Sequence, residues 1–146
     1  MGPRSKLQSY EGACHCGALE FTYESRLAPK NWPVRACQCS FCRGHGVLAI
    51  SDPEGTVRFR YMYPDRLRRY RFALRTADYL VCRECGIYVG AVMLTGAGAV
   101  AVINLNALRE RPRGLPAAKA VNYKNESLEQ RRARRREKWT PVFGPV

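Results

Sequence analysis

All seven cysteines of the chain fall in three tight groups: Cys14-His15-Cys16, Cys37-Gln38-Cys39-Ser40-Phe41-Cys42 and Cys82-Arg83-Glu84-Cys85. Thiolates one or two residues apart converge readily on one metal ion, at about 2.3 Å each for zinc, whereas such close pairs make awkward disulfides with one another. The spacing therefore predicts metal sites. An odd count also leaves one thiol over in any fully oxidised pairing. Met1 to Gln8 is polar and lacks the apolar stretch of a secretory leader, which gives the expectation of a cytoplasmic protein, whose reducing surroundings favour metal-bound or catalytic cysteine.

The 146 residues suit one domain with a tail, and a domain of this size buries about 70% of its unfolded surface, so metal is not its sole source of stability. Gly86 to Leu108 carries no charge, and by length alone could cross a membrane. Thr95-Gly96-Ala97-Gly98 divides it into two short β-branched runs, Ile87 to Leu94 and Ala99 to Leu105, which predicts a buried β-hairpin and no membrane span. The formal charge is +13. Seven thiolates holding two zinc ions would reduce it to about +10, still basic enough to favour an acidic partner.

Leu19 to Tyr23 alternates apolar and polar residues, the pattern of a half-buried strand. Further strands are predicted at Val34 to Ala36, Val47 to Ile50, Thr56 to Tyr63, Leu67 to Leu74 and Tyr79 to Val81, with a turn at Pro64-Asp65. Leu108 to Pro116, rich in Arg, Pro and Gly, reads as surface loop. One helix is expected near the end, capped at Asn125 or Ser127, with Ser127-x-x-Gln130 as a capping-box pattern and the arginines from Arg131 to Arg136 in its C-terminal half.

Cys37, Cys39 and Cys42 lie within six residues, so a tight turn through Ser40 and Phe41 would gather three sulfurs and leave a tetrahedral ion one open position. Cys14 and Cys16 with Cys82 and Cys85 would then form a closed four-thiolate site, with Cys82-x-x-Cys85-Gly86 as a zinc knuckle. Spacing leaves other partitions open: Cys37 and Cys39 could complete the knuckle, or His45 could join the middle three. His15, between two ligands on a strand-like segment, should face away.

The linked motifs Gly12-x-Cys14-x-Cys16-Gly17, Cys37-x-Cys39-Ser40-x-Cys42-Arg43-x-x-Gly46 and Cys82-x-x-Cys85-Gly86 resemble the series of the glutathione-dependent formaldehyde-activating enzyme and centromere protein V domain, over about residues 8 to 110. The resemblance implies a mainly β protein, a β-tent of antiparallel sheets with few helices, to which the sequence adds the short C-terminal helix. Residues 1–110 would be the zinc-binding domain, and 111–146 a basic extension packed on it. It also implies two zinc ions per chain, a structural one at Cys14, Cys16, Cys82 and Cys85 and a more exposed one at Cys37, Cys39 and Cys42. The activity implied is that of a carbon-sulfur lyase, joining glutathione to formaldehyde or reversing that step.

The chain departs from the family pattern at Gly44, where a second basic residue is common, and at Tyr79-Leu80-Val81, in place of an Arg-Phe lead-in. Arg43 is the nearest cation in sequence for an anionic thiol, and Ser40 could hydrogen-bond a ligand sulfur. Two other classes of function fit the sequence. One is a zinc-stabilised module binding nucleic acid or protein through Arg58, Arg60, Arg66, Arg68, Arg69 and Arg71, where arginine alternates with aromatics. The other is a metal-storage or redox-sensing thiolate centre.

Overall fold

Alternating burial along β2 (Leu19–Leu27) places Leu19, Phe21, Tyr23, Ser25 and Leu27 inside, and β2 lies between β1 (Arg4–Ala13) and β5 (Thr56–Tyr61) in a three-stranded antiparallel sheet. Phe21 sits opposite Phe59, their ring centroids 6.1 Å apart at 60°. On the outward face Arg60 donates to Glu20 and Thr22, and Thr22 donates to Glu11 at 2.7 Å. This computed structural model describes residues 4–146; the Met1–Pro3 part of the polar N-terminal stretch lies outside the described residues.

The larger sheet runs, in spatial order, β10 (Lys119–Val121), β3 (Arg35–Cys37), β4 (Ala49–Ile50), β9 (Ala99–Asn104), β8 (Tyr88–Leu94), β7 (Asp78–Cys82) and β6 (Leu67–Tyr70). A further strand, β11 (Thr140–Pro141), pairs with β9 beyond β4 on the same edge. The protein is thus mainly β, with two sheets and a short C-terminal helix. Its named strand pairs are antiparallel except β10 with β3, which is parallel. The charge-free run forms the hairpin of β8 and β9, closed by the Thr95 N–H donating to the Gly98 carbonyl at 2.9 Å. Charge is absent because β8 is buried on both faces, from Tyr88 through Met93.

The two faces of the large sheet carry separate cores. Leu80, Val92, Ile103 and Ile50 pack with Phe21, Tyr23, Val57 and Phe59 of the small sheet. Tyr88, Ala91, Met93 and Val102 pack on the other face with Val47, Cys42 and Trp139. A register shift between Leu80 and Val81 makes Val89 an extra residue in β8, and this bulge turns Tyr88 to the same face as Ala91 and Met93.

Residues beyond 110 are built into the large sheet through β10 and β11. Between them α2 (Leu128–Lys138) begins with a full capping box: Gln130 N–H donates to the Ser127 hydroxyl at 3.1 Å, and Ser127 N–H to the Gln130 side chain at 2.8 Å. The end of α2 is fastened to the turn after β4, where the Ser51 hydroxyl donates to the Lys138 carbonyl and Asp52 N–H donates to the Thr140 hydroxyl.

Three local expectations change. Cys39 opens a short helix, α1 (Ser40–His45), where a tight turn was expected. The strand expected over Thr56 to Tyr63 ends at Tyr61, and that over Leu67 to Leu74 ends at Tyr70. These two strands do not pair with each other: β5 belongs to the small sheet and β6 to the edge of the large one, and a 3-10 turn at Pro64–Arg66 carries the chain between them. Past Tyr70 the backbone leaves the sheet, with Ala73 and Arg75 at φ 53° and 54°.

Candidate metal centre

The turn between β1 and β2 presents Cys14 and Cys16, and the turn between β7 and β8 presents Cys82 and Cys85. The four sulfurs lie within 4.8 Å of one another, with Cys14 to Cys16 at 3.8 Å and Cys16 to Cys82 at 3.5 Å. Four thiolates about 2.3 Å from one tetrahedral ion stand about 3.8 Å apart, so the group fits such an ion as it stands. Gly17 and Gly86 close the two turns at φ 83° and 79°, a region costly for other residues, which explains why glycine follows each pair. Backbone N–H groups turn inward: Leu19 N–H donates to Cys14 Sγ at 3.3 Å, and Cys85 N–H to Cys82 Sγ at 3.5 Å.

Burial pushes the Cys14 thiol up to about 12, with the neighbouring thiols adding to the effect. Burial also pushes Cys85 upward, but N–H donors from Cys16 and Ile87 and the adjacent thiols outweigh it, holding Cys85 at about 6. Cys14 and Cys82 are buried, Cys85 is half-buried and Cys16 is exposed.

The second group, Cys37, Cys39 and Cys42, lies against the other core, so the large sheet separates the two. Cys37 ends β3, Cys39 caps α1, and Cys42 is buried one turn into that helix, donating its N–H to Cys39 Sγ at 3.4 Å. These three sulfurs also lie within 4.8 Å of one another. Hydrogen bonds from the Cys37 and Cys42 thiols, aided by the N–H groups of Cys42 and Phe41, hold Cys39 down to about 2, while contacts with the Cys37 and Cys39 thiols and burial push Cys42 upward. Among the described residues no fourth Cys, His, Asp or Glu joins the three. His45 is exposed and rests on the Phe41 ring, centroids 4.5 Å apart.

The three cysteines form one wall of a cleft of about 560 Å³; the other four do not line it. Phe72, Tyr79, Tyr88, Tyr123 and Trp139 give it aromatic walls, and residues 121–124, which start beside Cys37, and part of the helix α2 also line it. Arg43 is exposed and is not part of the lining. The cations that do line the cleft are Arg35, Lys124, Arg131, Arg134 and Arg135. Arg35 had a sequence signal, since two residues before Cys37 on a strand is the same face. Arg135 had none, because within the run Arg131 to Arg136 nothing separates a buried arginine from exposed ones.

The arginines considered for nucleic acid divide between the sheets, Arg58 and Arg60 on β5 and Arg66 to Arg71 around β6. Arg60 is paired with Glu20 at 3.3 Å, Arg69 and Arg71 share Asp78, and Arg66 lies over the Tyr63 ring. Among the described residues no helix is long and apolar enough to cross a membrane.

No protein-family model and no curated protein matches the chain significantly. Among solved structures, a Rhodobacter sphaeroides protein from a structural genomics programme is similar at 31% identity and a TM-score of 0.58, over 76% of this chain and 99% of that one. In sequence and in fold, then, the chain is a relative of that Rhodobacter protein.

Proposed function

We propose that this is a carbon-sulfur lyase-like enzyme acting on thiol-aldehyde adducts of the S-hydroxymethylglutathione type, with a β-tent fold and two zinc ions. The observation that carries the reading is the asymmetry of the cysteine groups: four sulfurs closed on themselves away from the cleft, three converging on its wall with a coordination position to spare. Cys14, Cys16, Cys82 and Cys85 would hold the structural ion, and Cys37, Cys39 and Cys42 the one at the cleft. Bound there, zinc would supply Lewis acidity and lower the pKa of a thiol.

The chain's own residues do the rest. In the condensation a carbon-sulfur bond forms between thiol and aldehyde carbon, and the thiol proton ends on the new hydroxyl; the reverse restores thiol and aldehyde. Phe72, Tyr79, Tyr88 and Trp139 would keep bulk water from both partners and orient them. Burial holds the Tyr88 hydroxyl far above its ordinary pKa, so it stays neutral beside the cysteines. NMR exchange between formaldehyde and glutathione, with the zinc-loaded chain present, is the test. The expected result is faster exchange that Cys39→Ser abolishes; no acceleration over the protein-free rate rejects the reaction.

A further inference from the structure

We propose that the cleft is built for a small carboxylate-bearing ligand with an apolar body, and that Arg135, with Arg35, receives the carboxylate. The assignment rests on the reading of this cleft as the substrate site, and adds what the substrate must carry.

Arg135 is 5% exposed, and its partners are all neutral. Nη1 donates to the Thr76 hydroxyl at 2.6 Å, Nη2 to the Tyr79 hydroxyl at 3.4 Å, Nε has no partner, and the guanidinium lies 4.7 Å from the Trp139 ring centroid. A guanidinium keeps its charge in a protein, and burying one without a counter-anion is costly. Among the described residues the one carboxylate on the cleft wall, Glu126, is already committed, accepting from Arg134 at 2.7 and 3.0 Å and from Arg131 at 3.2 Å. Arg35, half-buried on the cleft wall, likewise has only neutral partners: Nη1 donates to the Pro33 carbonyl and Nη2 to the Ser51 hydroxyl, both at 2.9 Å.

Five cationic side chains therefore line the cleft against one carboxylate. Three thiolates around a divalent ion carry a formal charge of about −1, which leaves most of that surplus unbalanced. Apart from the cysteines, Gln38 and Asn122, the remaining lining is apolar or aromatic, including Val47, Val102, Phe72 and Trp139. A carboxylate entering such walls exchanges water for charge-assisted hydrogen bonds in a poorly screened site. A neutral ligand of the same shape gains none of this.

The test uses the zinc-loaded full chain and two probes, benzoate and its neutral isostere benzamide, with binding followed by the Trp139 indole N–H shift. Benzoate should bind at least about 10-fold more tightly than benzamide. Arg135→Gln should erase that preference while leaving benzamide unchanged, and Arg135→Lys should restore part of it. If Arg135→Gln does not fold, Arg135→Lys and Arg35→Gln carry the comparison, each with a reduced preference. Equal binding of the two probes, no binding of either, or an unchanged preference in the variants overturns the proposal. A second pair separates it from the reaction: aldehyde exchange with 3-mercaptopropionate against 3-mercaptopropanol. Equal acceleration by both removes the carboxylate site and leaves the lyase; a benzoate preference without exchange leaves the site and removes the lyase.

Discussion

Cys14 and Cys16 meet Cys82 and Cys85 across 66 residues of chain, whereas Cys37, Cys39 and Cys42 are gathered within one strand end and one turn of helix. The first group joins a turn of the small sheet to a turn of the large one, so an ion there restrains a long loop of the unfolded chain. The second restrains nothing distant. Its sulfurs are placed by α1 and by the core beneath it, and they border open space instead of closing it. On the proposed function, identical ligands would serve as a fastening on one face of the sheet and as a reactive surface on the other.

Breaking the fastening should give the largest effect. Structural zinc sites contribute on the order of 10 kcal/mol to small domains, so Cys82→Ser is expected to lose cooperative thermal unfolding or to precipitate, and chelation of the wild type should do the same. A soluble variant with an unchanged midpoint would reverse the roles of the two groups. Cys39→Ser supplies a hydroxyl that can cap α1 and loses only a half-buried sulfur, so it should cost no more than about 1 kcal/mol, while metal content falls from two ions per chain to one. Native mass spectrometry of wild type and variant counts the ions, and urea unfolding reads the stability cost. Unfolding comparable to Cys82→Ser would abolish the contrast.

The three tight cysteine groups were legible in the sequence because ligand spacing is local, and so were the hairpin and the capping box, but spacing left open which groups join. Gly17 and Gly86 also showed where the turns close. What sequence did not show depended on partners far along the chain. At six residues α1 is too short for helical periodicity to show in sequence, and Cys39 as its cap looks like any other cysteine. Both β10 and β11 are two or three residues long and exist only because β3 and β9 offer edges. The bulge at Val89 decides which face Tyr88 takes, and it arises from pairing with β7. Arg135 belongs with these: its burial follows from α2 lying over Tyr79 and Thr76, not from its place in a basic run.

The smallest effect tests the cleft wall alone. Burial by itself would raise the Glu126 carboxyl, but hydrogen bonds and charge from Arg134 and then Arg131 outweigh it and hold the group below its ordinary value. A depressed carboxylate adds stability that is present above its unfolded pKa of about 4.5 and is lost as pH falls through the folded value. Glu126→Gln keeps the shape and removes the charge, leaving Arg131 and Arg134 with a single amide oxygen between them. The variant should be about 1 kcal/mol less stable in urea near pH 7, a cost in the range of hydrogen bonds to a charged group that is partly exposed. That difference should shrink steadily below about pH 4.5 as the wild type protonates, while both metal sites keep their occupancy at neutral pH. A gap of constant size across that window would mean that packing against Tyr123, 3.5 Å beneath the Arg134 guanidinium, holds this wall and the ion pairs do not.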